Sequence, residues 1–129
     1  MSQELTVGLT AVYEDDADIY GNVRGLDEVI ISLATAKLVH TKQSVGTSEE
    51  AVTLGDISSR GFMILVNRDT SNYIEVKTGT GGTIYAKLFP SGSTAGINFC
   101  VVHCGSGAQS PYVIANNASC EMEVFLCAL

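Results

Sequence analysis

Positive charge is scarce in this chain. Seven Lys and Arg stand against fourteen Asp and Glu, and the formal charge is −7. Proteins that grip nucleic acid do so through a basic patch or stripe, so no nucleic-acid partner is expected. Anionic membrane surfaces are excluded on the same ground. Charge of either sign is low, at 16% of residues against 46% hydrophobic. Disorder has the reverse composition, so a packed domain is expected. Apolar runs such as Phe62-Met63-Ile64-Leu65-Val66 are strand-sized, far from the ~18 residues of a membrane-crossing helix. Prolines number two, and few strands are blocked by them. The opening Met1-Ser2-Gln3-Glu4 has neither the basic nor the apolar segment of a secretory signal. A soluble protein made in a cytoplasm is expected.

Catalytic patterns are missing as well. No Gly-x-Ser-x-Gly elbow occurs. The two histidines, His40 and His103, have no partner at a telling spacing, and nucleophilic catalysis needs an activated pair. Glu121 and Glu123 share one face of a strand, but neighbouring acids on a sheet rim are far commoner than a glycosidase pair. No enzyme and no cofactor is expected.

What is present is enough chain, 129 residues, for one core and not two. A single domain over residues 1–129 is expected, with residues 1–28 as an acidic arm or loop. That segment holds Glu4, Glu14, Asp15, Asp16, Asp18, Asp27 and Glu28 against Arg24 alone, a net of −6 out of −7. The remaining body is nearly neutral and apolar, a poor surface for a solitary soluble protein.

The hydrophobic period is two, the period of strands. Leu5, Val7, Leu9, Ala11 and Tyr13 alternate with Thr6, Gly8, Thr10 and Val12. Glu14 to Glu28 reads as an acidic, turn-like stretch. Val29 to Leu33 is a short strand, Ala34 to Leu38 could be helical, and Val39 to Val45 is strand again. Gly46-Thr47-Ser48-Glu49-Glu50 is a polar turn or capping box leading into a strand at Ala51 to Leu54. Gly61 to Asn67 is apolar on both faces, which places it centrally in a sandwich or against a partner. Further strands are expected at Asn72–Lys77, Thr83–Phe89 (Ile84, Ala86 and Leu88 inward), Ile97–Cys104, Tyr112–Ala115 and Cys120–Cys127. Short strands with turn signals at this spacing indicate an all-β fold, an antiparallel β-sandwich or barrel.

Three local patterns invite chemistry. Asp16, Asp18, Gly21 and Asp27 occupy positions 1, 3, 6 and 12 of a calcium-loop frame. Tyr20 and Arg24 fill ligand positions poorly, so a solvated acidic loop is the expectation and Asp16, Asp18 and Asp27 are at most weak metal candidates. Gly79-Thr80-Gly81-Gly82 could cradle phosphate, but no Lys-Ser/Thr pair or helix start follows, and a hairpin turn is expected. The cysteines Cys100, Cys104, Cys120 and Cys127 crowd the last third. Strand alternation turns His103 away from Cys100 and Cys104, and puts Cys120 and Cys127 on opposite faces. Reduced core thiols are expected, with one disulfide or a metal site as alternatives. The aromatics are spread one or two per strand, which is core and interface spacing. Phe62, Tyr73, Tyr85, Phe89 and Phe125, with Leu129 at the apolar end Phe125-Leu126-Cys127-Ala128-Leu129, are the candidate interface residues.

Several segments resemble a family of small tailed-bacteriophage virion proteins. They are Gln43 to Asp56, Gly61-Phe62, Val66 to Val76, Lys87-Leu88-Phe89-Pro90-Ser91-Gly92, Pro111 to Asn116 and Ala118 to Glu123. The polar stretch Asn67 to Tyr73 is the most distinctive, and residues 1–42 match poorly. The resemblance implies a jelly-roll β-sandwich without catalytic residues. It implies a place in the virion, as a capsid cement (decoration) protein or in the neck, tail or baseplate. The implied partners are the major capsid protein and copies of the chain itself, as a homotrimer, after synthesis in the host bacterial cytoplasm. The competing expectation is a receptor- or carbohydrate-binding sandwich with Tyr20 and Tyr112 lining a groove.

Overall fold

A computed structural model of the chain describes residues 3–7, 12–15, 18–22, 29–33, 38–53, 62–103 and 111–127. Every element among them is a strand, and every pairing is antiparallel. The chain divides into two compact units, Met1–Ala36 and Lys37–Leu129.

In the first unit, β1 (Gln3–Val7) pairs with β4 (Val29–Leu33), and β2 (Val12–Asp15) pairs with β3 (Asp18–Asn22). The inner hairpin is therefore nested in sequence within the outer pair. The acidic stretch read as turn-like from Glu14 onward is partly strand: Glu14 and Asp15 end β2, and residues 18–22 form β3. Acidic composition argues for a turn, but cross-strand pairing outweighs this weak propensity. The alternating run from Leu5 to Tyr13 belongs to two strands, with residues 8–11 outside the described set. The possible helix at residues 34–38 also falls largely outside it; Leu38 begins β5.

The second unit is a sandwich of two four-stranded sheets. Its strands are β5 (Leu38–Val45), β6 (Glu50–Ala51), β7 (Phe62–Asn67), β8 (Ile74–Lys77), β9 (Ile84–Leu88), β10 (Phe99–His103), β11 (Tyr112–Ala115) and β12 (Cys120–Cys127). The first sheet runs β10-β7-β12-β5 and the second β6-β11-β8-β9. Counted within this unit, the first sheet takes the sixth, third, eighth and first strands, and the second takes the second, seventh, fourth and fifth.

Alternation builds the core. Val45, Met63, Leu65, Met122, Val124 and Leu126 point inward from the first sheet, and Ile74, Val76, Leu88, Val113 and Ala115 from the second. These side chains form one cluster. Full burial of each large aliphatic stabilises by about 1.5–3 kcal/mol relative to exposure. The alternation fails at one expected place. Ile84, read as inward, is 50% exposed. A register shift between Val76↔Ala86 and Lys77↔Ile84 inserts Tyr85 as an extra residue, and such a bulge resets which side each residue faces. Of the strand expected at Ala51–Leu54, Ala51 pairs together with Glu50 as β6, Val52 and Thr53 are outside any strand, and Leu54 lies outside the described residues.

Since the buried cluster found among the described residues lies within residues 37–129, that segment expressed alone is expected to unfold in one cooperative thermal transition, close to the midpoint of the full chain. A non-cooperative melt by circular dichroism would show that residues 1–36 complete the core.

Candidate interaction surface

The chain crosses from the first sheet to the second between Asn67, the last residue of β7, and Ile74, the first of β8. Asn67 is the one buried polar residue among those described. Its side-chain amide donates to the carbonyls of Asn72 (2.8 Å), Leu88 (3.1 Å) and Phe89 (3.2 Å), while its Oδ1 accepts from Asp69 N at 2.9 Å. Two N–H bonds serve three carbonyls, so one is shared. Asp69 Oδ2 accepts from Ser71 N at 2.9 Å and Asn72 N at 2.5 Å. These backbone donors hold the Asp69 carboxyl below its ordinary value.

Neighbouring crossings lock onto this corner. Ser91 N donates to Asp69 O, Asn67 N to Asn98 O, and Tyr73 N to Asn116 Oδ1. The Pro90-Ser91-Gly92 turn closes with Ser93 N on Pro90 O, and Gly92 takes the positive φ of 84° that the bend requires. The corner also fixes the end of β9. Lys87 Nζ lies 3.8 Å from the centroid of the Tyr73 ring and 5.3 Å from that of Phe89.

The outer face of the first sheet is unusual in composition. Register sets Val101, Ile64, Phe125 and His40 in one row across β10, β7, β12 and β5. The adjacent row is Phe99, Val66, Glu123 and Lys42. The β10 side of the face is thus apolar and the β5 side charged. Ile64, Val66, Phe99 and Phe125 are half-buried, and Val101 is 48% exposed. On the charged side, Glu123 meets two side chains. One carboxylate oxygen meets His40 Nε2, and the other meets Arg68 Nε at 2.6 Å and Nη2 at 2.5 Å. Lys42 pairs with Glu121 at 3.3 Å. Hydrogen bonds from His40 and then Arg68 hold the Glu123 carboxyl below its ordinary value, against a smaller opposing effect of desolvation.

The candidate interface residues separate across this framework. Phe125 lies in the apolar row. Phe62 occupies the next register position on β7, with its side chain outside the described set. Tyr73 and Phe89 flank Lys87 at the corner, and Tyr85 sits on the bulge of edge strand β9, 46% exposed. Leu129 lies outside the described residues, as do Asp16 and Asp27 of the calcium frame; Asp18 begins β3. Among the described residues no group of three His, Cys, Asp or Glu side chains is placed to hold a metal ion. In the Gly79–Gly82 hairpin, Gly82 N bonds Gly79 O and Gly81 N donates to the Glu49 carboxylate at 2.8 Å. An acid thus occupies a donor that a phosphate would need. Tyr112 is half-buried on β11, and Tyr20 lies in β3.

Cys100 and Cys120 are free thiols. Cys120 is fully buried, and Cys100 packs against the core beside Val102, as alternation requires. Burial pushes both thiols up to about 11, with the Asp69 carboxylate adding to the effect on Cys120. Both stay protonated and unreactive near neutral pH. Cys104 and the side chain of Cys127 lie outside the described set.

The His40–Glu123–Arg68 group was invisible to spacing, since its members are 83 and 55 residues apart. Compared with protein-family models, curated proteins and solved structures, the chain matches none.

Two outcomes follow from this geometry. Asn67→Ala leaves buried carbonyls of both crossings without a donor, and is expected to destabilise the protein by roughly 2–3 kcal/mol in urea titration. A change within a few tenths would mean that water replaces the amide. Glu123 has a depressed folded value, so its contribution is present above the unfolded carboxylate value and is lost as pH falls through the folded one. The stability gap between wild type and Glu123→Gln should therefore be level near neutrality and close in the acid range. A gap independent of pH would remove the ion pairs from the account.

Proposed function

We propose that the chain is a non-enzymatic virion structural protein, a capsid cement protein that stabilises a phage head by binding between capsomers. The reading treats residues 37–129 as a jelly roll. The strand order supports this: first, eighth, third and sixth strands in one sheet, second, seventh, fourth and fifth in the other. The observation that carries the role is the outer face of the first sheet, where five apolar side chains sit on the far side from the core. A lone soluble sandwich keeps such a face polar, whereas a protein that works by covering its neighbours needs it apolar.

On this reading the partners are the major capsid protein and copies of the chain, arranged as a homotrimer, with no nucleic acid or membrane involved. The action is mechanical. Each copy buries modest area, at about 25 cal/mol per Å² of apolar surface, and many repeated contacts add up over a shell. The acidic residues 1–28 serve as a contact or solubilising element.

Copy number tests the role. Quantitative mass spectrometry of purified particles should find the chain at a stoichiometry comparable to the major capsid protein. A few copies per particle would assign it to the neck or tail instead, and absence from particles would end the virion reading.

A further inference from the structure

Each sheet of the sandwich ends in two edge strands, β10 and β5 in the first and β6 and β9 in the second. An edge presents unpaired main-chain groups to which another strand can add, and native proteins close such edges by specific devices. Near β9 and β10 the main chain bridges the two sheets, with Phe89 N bonded to Ile97 O at 2.9 Å. Between β5 and β6 a side chain makes the bridge. We propose that Gln43 plugs a strand-docking edge, its amide holding the place on β6 that a parallel strand would take.

Register puts Gln43 in position. It stands opposite Met122 on β12 and two residues from Val45, and both of these are fully buried. Alternation therefore turns Gln43 toward the second sheet, where a polar group needs partners. The segment at β6 offers them. Val52 N donates to Pro111 O at 3.1 Å, on the β11 side. Main-chain groups of an extended segment alternate sides, so those of Ala51 and Thr53 point away from β11, to the open edge. Gln43 Nε2 donates to Ala51 O at 3.0 Å, and Gln43 Oε1 accepts from Thr53 N at 2.8 Å. A residue on a parallel strand makes the same two bonds to its neighbour, its N–H to one carbonyl and its C=O to the N–H two residues on. The Gln43 amide thus stands in for a peptide group. Its second N–H goes to Glu50 Oε1 at 2.9 Å, and the other Glu50 oxygen accepts from Gly46 N at 3.1 Å. Both amide hydrogens are used, and Glu50 ties the plug to the turn that joins β5 to β6.

Ala51 and Thr53 are small, uncharged and exposed, so they put little in the way of an incoming strand. Among the described residues, the bonds to this edge come from Gln43. The occupant of the edge is the chain's own side chain, and the partner it excludes is an extended strand recognised through its backbone. This closure is independent of the virion role, because an edge needs closing in any β-sandwich.

The experiment compares substitutions that lose the same bonds but leave different edges. Gln43→Ala leaves the edge bare. Gln43→Lys also loses the bonds but brings a charge, which opposes strand addition. In NMR hydrogen exchange on the full chain, the Thr53 amide should be protected in wild type and should exchange about tenfold faster in both variants. In sedimentation velocity at up to about 300 μM, Gln43→Ala should associate about threefold more tightly than wild type or more. Gln43→Lys should associate no more than wild type, and both should keep the wild-type circular dichroism spectrum. Gln43→Asn, whose amide is too short to span both groups, should behave as Gln43→Ala and decides in its place if that variant unfolds. An unprotected Thr53 amide in wild type would overturn the proposal, as would Gln43→Ala associating like wild type. Equal gains in association for Ala and Lys would also overturn it, because lost bonds rather than an open edge would then be the cause. None of these results depends on copy number in particles, so the two readings can fail separately.

Discussion

The sandwich depends on one buried amide. Asn67 stands where the chain leaves the first sheet, and it is bonded to the backbone of both sheets at once. Its donors reach Leu88 and Phe89 at the end of β9 and Asn72 near the end of the crossing, and its own backbone meets Asn98 ahead of β10. A hydrophobic core fixes that two sheets pack, but it is tolerant of sliding, because burial is not directional. A set of buried hydrogen bonds is directional and penalises any shift that leaves a carbonyl without a donor. Asn67 therefore sets how one sheet stacks on the other, and Asp69 and Asn116 extend the constraint to the neighbouring crossings.

That constraint reaches the outer surface. Fixing the end of β7 fixes the phase of Met63, Leu65 and Asn67 inward and of Ile64 and Val66 outward, since a slip by one residue exchanges the two faces. The position next in chain, Arg68, is then delivered to the outer side, where it meets Glu123. The Asn67-Arg68 dipeptide thus divides its work: one side chain joins the sheets and the next organises the exposed face.

Much of the fold was legible in the sequence. Cys120–Cys127 and Tyr112–Ala115 appear as read, and the glycines of Pro90-Ser91-Gly92 and Gly79–Gly82 close turns where the letters place them. These features are local: period two, turn chemistry and glycine at positive φ all act within a few residues. The double-sided apolarity of β7 was legible too: β7 is central in its sheet, and its outer residues belong to the apolar face. What failed was non-local. Ile84 faces outward because of a bulge opposite β8, which nothing in β9 announces. Glu14, Asp15 and Asp18 were read as turn because acids disfavour strands, yet their pairing partners hold them in one. The His40–Glu123–Arg68 group depends on β12 lying between β5 and β7, and strand order is not written in any local pattern. Glu121 and Glu123 were recognised as sharing a face, but their cations come from strands distant in the chain.

The separation of charge completes the physical picture. A nearly neutral sandwich with an apolar outer face is prone to precipitate, and net charge is the usual remedy. Charge added to that face would keep copies in solution by making them repel across every contact it forms. Six of the seven net charges lie in residues 1–28, within a unit that has its own strand pairings, and the remaining chain is left nearly neutral. On β5 and β12 each acid is matched by a cation rather than simply omitted. An apolar strip with no charged margin would adhere to any greasy surface, whereas paired charges at its margin favour a surface whose charges are complementary to them.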